Sequence, residues 1–167
     1  ERILIPTFMR KVDLEEVVRL EAEGNADTFL PLLSQNISII EVGAYSHIFE
    51  KFIDFLGIKS LILTDIDAIK VTGKNTKGDD VWGACPVKEG TKTSNSAIGH
   101  FLNAVTWEDL KALPVGGRTI IVGSSTICIC YQQEENTYHA RSFEDAFIHL
   151  NRAFVKENKD TFQGIKN

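Results

Sequence analysis

The sequence predicts an α/β protein with a mostly parallel central sheet flanked by helices and carrying helical insertions. Three observations predict it. A β-branched run, Ile37, Ile39, Ile40 and Val42, ends at Gly43; apolar residues at 48, 49, 52, 53, 55 and 56 then follow a helical rhythm as far as Gly57; and a second apolar run, Ile58 to Asp67, has Leu61-Ile62-Leu63 at its centre. Strand, helix and strand in that order imply a right-handed parallel βαβ connection.

The other elements follow in chain order. Ile3, Leu4, Phe8, Met9 and Val12 recur at helical spacing, which predicts a helix over residues 1 to about 12, with Pro6 tolerated if the helix starts close by. Asp13-Leu14-Glu15-Glu16 restarts the pattern up to the stop signal Gly24-Asn25, and a short helix is expected from Asp27. Residues 68–93 lose periodicity and read as a long loop. Thr93-Ser94-Asn95 offers an N-cap for a helix over Ala97 to Val105, and Thr106 caps another through Leu113, before Pro114 and Gly116-Gly117. Arg118 to Gln132 reads as a strand or bent hairpin interrupted at Gly123-Ser124-Ser125. Ser142-Phe143-Glu144-Asp145 resembles a capping box for a helix whose apolar stripe is Phe143, Ala146, Phe147, Leu150 and Phe154.

With 167 residues, 43% hydrophobic and 25% charged, the chain has the composition of a globular domain long enough to bury a core without staples. One domain over residues 1–167 is the expectation. Eighteen Lys and Arg against twenty-three Asp and Glu give a net charge of -5, which excludes nucleic-acid binding by a uniformly basic surface. A phosphate partner needs a local basic patch or bound cations. No run approaches the ~20 apolar residues of a membrane span and no leader pattern is present, so a cytoplasmic location without membrane contact is expected. The three cysteines suit a reducing compartment, with Cys128 and Cys130 on one face of a strand as a buried, reduced pair.

The sharpest chemical feature is Leu61-Ile62-Leu63-Thr64-Asp65-Ile66-Asp67. An apolar strand runs into two carboxylates at i and i+2, which an extended chain points to one side, at the strand end where open α/β sheets bind ligands. Two such acids either share a hard cation, Mg²⁺ or Mn²⁺, or simply open a solvated loop. Glu41, just before Val42-Gly43, is either a third carboxylate at that edge or a solvent-facing strand acid. Glu1 and Glu144 stand near helix starts, where the dipole alone favours them. The 68–93 stretch holds Lys70, Lys74, Lys77, Lys88 and Lys92 against Asp79, Asp80 and Glu89, a local positive excess that is either ordinary loop solvation or a seat for a phosphodiester. Gly90-Thr91-Lys92-Thr93 lacks the glycines and the preceding strand of a P-loop, and no serine-nucleophile elbow is present.

Together, Glu1-Arg2-Ile3-Leu4-Ile5-Pro6, Ile39-Ile40-Glu41-Val42-Gly43, Leu63-Thr64-Asp65-Ile66-Asp67, Thr93-Ser94-Asn95 and Arg141-Ser142-Phe143-Glu144-Asp145-Ala146-Phe147 resemble, in order, the Toprim domain of the overcoming-lysogenization-defect (OLD) family of endonucleases, which includes the nuclease subunit of the Gabija phage-defence system. The resemblance implies a Rossmann-like Toprim core and a two-metal DNA endonuclease, with Mg²⁺ or Mn²⁺ at Asp65 and Asp67, Glu1 joining them and Glu144 serving a second ion. It also implies an ATPase domain on the amino-terminal side, where ATP would bind, and leaves room for homo-oligomers. The sequence begins after the position of the family's acid/base glutamate, and Lys156, Lys159 and Lys166 do not match the context of its catalytic lysine. The chain is therefore expected to be part of a longer protein and to cleave DNA poorly alone. A topoisomerase- or primase-like Toprim enzyme would share the Asp-x-Asp strand without the Arg141–Phe147 segment. A metal-free assembly module would keep Asp65 and Asp67 as surface acids.

Overall fold

The computed structural model describes residues 3–161, in two compact units, Glu1–Val42 and Gly43–Asn167. In the first, helix α1 (Leu4–Ala22) is continuous, with Pro6 in its opening turn, where no backbone N–H is needed. The break expected at Asp13 does not occur. The Asp13 carboxylate accepts the Leu32 N–H at 2.9 and 3.2 Å and so ties α1 to the 3₁₀ turn Leu32–Ser34 instead of capping a second helix. The short helix expected from Asp27 is a single 3₁₀ turn, Ala26–Thr28. The strand expected at Ile37–Val42 is absent, and so is the βαβ unit built on it: a β-branched run favours extension, but a strand exists only with a ladder partner, and residues 37–42 have none.

The second unit is α/β with mixed sheets. After the 3₁₀ segment Gly43–Phe49 comes α2 (Glu50–Leu56), ended by Gly57 in the left-handed conformation. The first sheet comprises β1 (Lys59–Leu63), β5 (Thr119–Val122) and β6 (Ser125–Cys130) in the order β1-β6-β5. Only the β1/β6 pair is parallel; β5 and β6 form the bent hairpin that Gly123-Ser124 announced. Gly123, at φ +55°, turns the chain where a Cβ would stand 2.0 Å from the Asp54 carboxylate.

The stretch 68–93 is a structured sheet rather than a loop. Strands β2 (Ala68–Lys74) and β3 (Asp80–Ala84) form a hairpin, and β4 (Lys92–Thr93) pairs with the other edge of β2. Its turn is closed by Asn75, whose side-chain oxygen accepts from Lys77 N (2.8 Å) and Asp79 N (3.0 Å), with Gly78 at φ +86°. Helices α3 (Ser96–Phe101) and α4 (Trp107–Ala112) are capped by Asn95 and Thr106 as expected, although α3 stops short of Val105. A two-residue ladder, β7 (Glu134–Glu135) with β8 (Tyr138–His139), leads to α5 (Phe143–Leu150) and α6 (Arg152–Glu157). The expected single carboxyl-terminal helix is interrupted at Asn151.

The core gathers Ile62, Ile127 and Ile129 from one sheet face, Ile66 and Ala68 from the chain after β1, and Ala97, Ile98, Phe101 and Leu110 from α3 and α4. The opposite face of the same sheet carries Leu61 (61% exposed), Leu63, Ile121 and the thiols Cys128 and Cys130. The two cysteines do share a face, as expected, but they are half-buried and on the open side rather than in the core. Burial and the neighbouring Cys128 push the Cys130 thiol pKa up, which keeps it protonated.

This two-sided sheet makes a direct prediction. Ile127→Ala leaves a cavity in a fully buried position and should cost about 2–5 kcal/mol, whereas Leu61→Ala should cost under about 1 kcal/mol. Denaturant unfolding of the two variants checks this; equal losses would mean that the open face is packed in solution.

Candidate functional site: the acid loop at the end of β1

Strand β1 ends at Leu63, and the parallel ladder gives its last bond from Thr64 N to Cys130 O, at 2.9 Å. Beyond that point, side chains take over the work of the ladder. Gln132 accepts the Ile66 N–H at 2.9 Å through Oε1, Thr93 Oγ1 donates to Ile66 O at 2.7 Å, and Ser94 N donates to Asp67 O at 2.9 Å. Asn95, only 2% exposed, donates from Nδ2 to Thr64 Oγ1 (2.7 Å) and Asp65 O (3.0 Å), while its Oδ1 caps α3 through Ala97 N and Ile98 N. The reason is that Ile66, fully buried, pulls the backbone between the two aspartates inward, where unpaired polar groups are costly.

Asp65 is gripped at a single oxygen. Its Oδ1 accepts from Gln132 Nε2 at 2.5 Å and from Phe143 N, the first residue of α5, at 2.9 Å. No protein donor among the described residues reaches Oδ2. Burial pushes the Asp65 pKa above the ordinary aspartate range; the two donors pull the other way, and the negative charges of Asp67 and Glu144 add to the rise. Asp67 and Glu144 therefore each lie within electrostatic reach of Asp65.

Asp67 does not continue the strand alternation. Its φ of +48° is left-handed, a conformation an aspartate tolerates, and its Oδ1 pairs with Arg141 Nη2 at 3.1 Å. Arg141 Nε also donates to Ala68 O at 3.2 Å, and Asp67 N donates to Arg141 O, so the segment before α5 is fastened to the acid loop by charge and by backbone. Ser142 Oγ accepts Asp145 N, as an N-cap should, but the return bond of a capping box goes one residue further back, from Arg141 N to Asp145 Oδ2 at 2.8 Å.

The structure thus brings Asp65, Asp67 and Glu144 to one edge. Glu1 lies outside the described residues, and Glu41 belongs to the first unit, in a segment without strand. Lys70, Lys74 and Lys77 sit on the hairpin, Lys88 in the 3₁₀ turn after it and Lys92 on β4, and three of the five are engaged: Lys70 with Glu89 (2.7 Å), Lys74 with Asp80 (2.8 Å), and Lys92 over the Trp82 ring at 3.5 Å. Gln132, Arg141 and Asn95 are the site residues whose roles the sequence concealed. Their partners lie 67, 74 and 30 positions away and no local spacing marks them.

Among the described residues no three His, Cys, Asp or Glu side chains enclose a point that a metal ion could occupy. Mg²⁺ does not require such a cage, since it keeps several waters and binds through one or two carboxylates with substrate phosphates completing its shell. Asp65, with no donor to Oδ2 among the described residues and its ionised form disfavoured by burial and then by neighbouring acids, fits that mode. Compared with protein-family models, with curated proteins and with solved structures, the chain matched none.

The raised pKa of Asp65 sets the sign of a pH effect. The folded state holds this proton more tightly than the unfolded chain does, so the contribution is complete below the ordinary aspartate pKa and is lost as pH rises through the raised value of the folded state. Asp65→Asn keeps an Oδ1 acceptor for Gln132 and Phe143 and removes the titration. Wild type should therefore lose stability relative to D65N across that window and be the less stable of the two at neutral pH. Denaturant unfolding of both from acidic to neutral pH reads this out, and parallel curves would contradict it.

Proposed function

We propose that the acid loop is a divalent-cation site for phosphodiester hydrolysis on DNA, within a Toprim-type fold of the kind the five sequence segments resemble. The observation that carries this reading is the asymmetric hold on Asp65 at the carboxyl end of a parallel strand: Oδ1 carries both protein donors, and none among the described residues reaches Oδ2. A bound Mg²⁺ or Mn²⁺ supplies Lewis-acid stabilisation of charge on a phosphodiester oxygen. In the same reading Asp65 is the principal ligand, Asp67 contributes the oxygen that Arg141 does not hold, and Glu144 adds negative charge from the first turn of α5. The cation also offsets the repulsion between DNA and a chain of net charge -5.

One observation favours a second reading. Asp67 is tied to Arg141, and Asp65 to the first N–H of α5, bonds that would fasten α5 to the sheet with no metal at all. The two readings separate in thermal unfolding with Mn²⁺ and with chelator. A ligand confined to the folded state stabilises it by about 2.7 kcal/mol at a hundredfold excess over its dissociation constant. The cation reading expects a Mn²⁺-dependent rise in melting temperature for wild type that D65N loses; equal shifts in both proteins, or none in either, would leave the latch alone.

A further inference from the structure

We infer that Gln132 is a positioning residue for this cation site, fixing the Asp65 side chain so that the carboxylate oxygen it does not hold is presented to the ion; the inference rests on the cation reading above. The Gln132 side chain touches both the Asp65 carboxylate and the backbone of the acid loop. Its amide donates through Nε2 to Asp65 Oδ1 and accepts the Ile66 N–H through Oε1. The second bond fixes the first: with Oε1 committed to a backbone N–H, the amide has one orientation, and Nε2 must face the aspartate.

Gln132 is itself anchored at both ends of its own segment. It follows Tyr131, a buried residue whose hydroxyl donates to Leu110 O at 2.8 Å and whose carbonyl accepts from Arg118 Nη1 at 3.2 Å. Its own carbonyl is in hydrogen-bond contact with His139 Nε2 at 2.8 Å. A ligand's partner held this firmly limits the rotation of the ligand, and Phe143 N closes on the same oxygen from α5. Without Gln132, Phe143 N alone would restrain the Asp65 carboxylate through one bond, leaving its side-chain rotamer free to average.

The test uses the whole chain with Mn²⁺ alone as the probe. Binding is followed by the electron paramagnetic resonance signal of free Mn²⁺, and the Asp65 side-chain rotamer by NMR couplings at its β-protons. Gln132→Met keeps the length and removes both bonds; Gln132→Asn keeps an amide but is one methylene too short to reach both partners, and serves if the first variant does not fold. Either should bind Mn²⁺ about tenfold or more weakly than wild type and show rotamer averaging at Asp65. Folded variants with wild-type affinity, or with a fixed rotamer, overturn the role given to Gln132 while leaving the cation site standing. Absence of Asp65-dependent Mn²⁺ binding in wild type overturns the cation reading itself, and with it any positioning role toward an ion, whatever the rotamers show.

Discussion

The constraint on which the second unit turns is the burial of Ile66 between two aspartates. A fully enclosed isoleucine draws the three consecutive peptide groups from Asp65 to Ala68 off the end of the ladder, and they take partners that β6 no longer provides. The partners come from far along the chain: Gln132 after β6, Thr93, Ser94 and Asn95 before α3, Arg141 before α5. One core residue thereby forces strand, helix start and hairpin end to meet, and the carboxylates on either side of it are placed by that meeting.

Asn95 shows how closely stability and placement are bound together. Its carbonyl oxygen caps α3 while its amide holds the Thr64 side chain and the Asp65 carbonyl. An N-cap alone contributes about 1 kcal/mol. The two further bonds, made by a buried amide, would each leave an unsatisfied group if lost, at about 1–3 kcal/mol apiece. The link between α3 and the acid loop is therefore stronger than the cap that gives the helix its start.

Local signals in the sequence were legible where a short-range physical rule decided the outcome. The caps at Asn95, Thr106 and Ser142, the left-handed stop at Gly57 and the turn at Gly123-Ser124 all follow from residues within three positions of one another. The central run Leu61-Ile62-Leu63 and its termination in acids were legible for the same reason. Partner choice was not. Ile37–Val42 has the composition of a strand and no ladder, whereas Ala68–Lys74, diluted by lysines, is one, because Asn75 and Gly78 close a turn that brings Val81-Trp82 back against it. That turn was visible as Asn-x-x-Gly between alternating runs; the lysines, read as loop charge, obscured it. The lysines lie on this sheet and its connections, and the ion pairs of Lys70 and Lys74 run to Glu89 and Asp80 of the same segment, so its positive excess is smaller in space than along the sequence.

Asp65 also shows which of the competing terms prevails at the site. Two hydrogen bonds to Oδ1 favour the ionised form, yet the pKa still rises, so burial and the neighbouring acids together outweigh them. Arg141 does not reverse this, because its guanidinium is committed to Asp67 and to the Ala68 carbonyl. The unfavourable balance is thus local to one carboxylate whose second oxygen has no donor among the described residues, and a positive charge placed there would relieve both the desolvation and the repulsion at once. An asparagine at 65 would keep an Oδ1 acceptor for α5 and Gln132, with weaker neutral bonds, and would titrate nothing. What an aspartate adds at this position is a negative charge shared by both oxygens, one of which has no donor among the described residues, and charge at such an oxygen is the property that a cation can use.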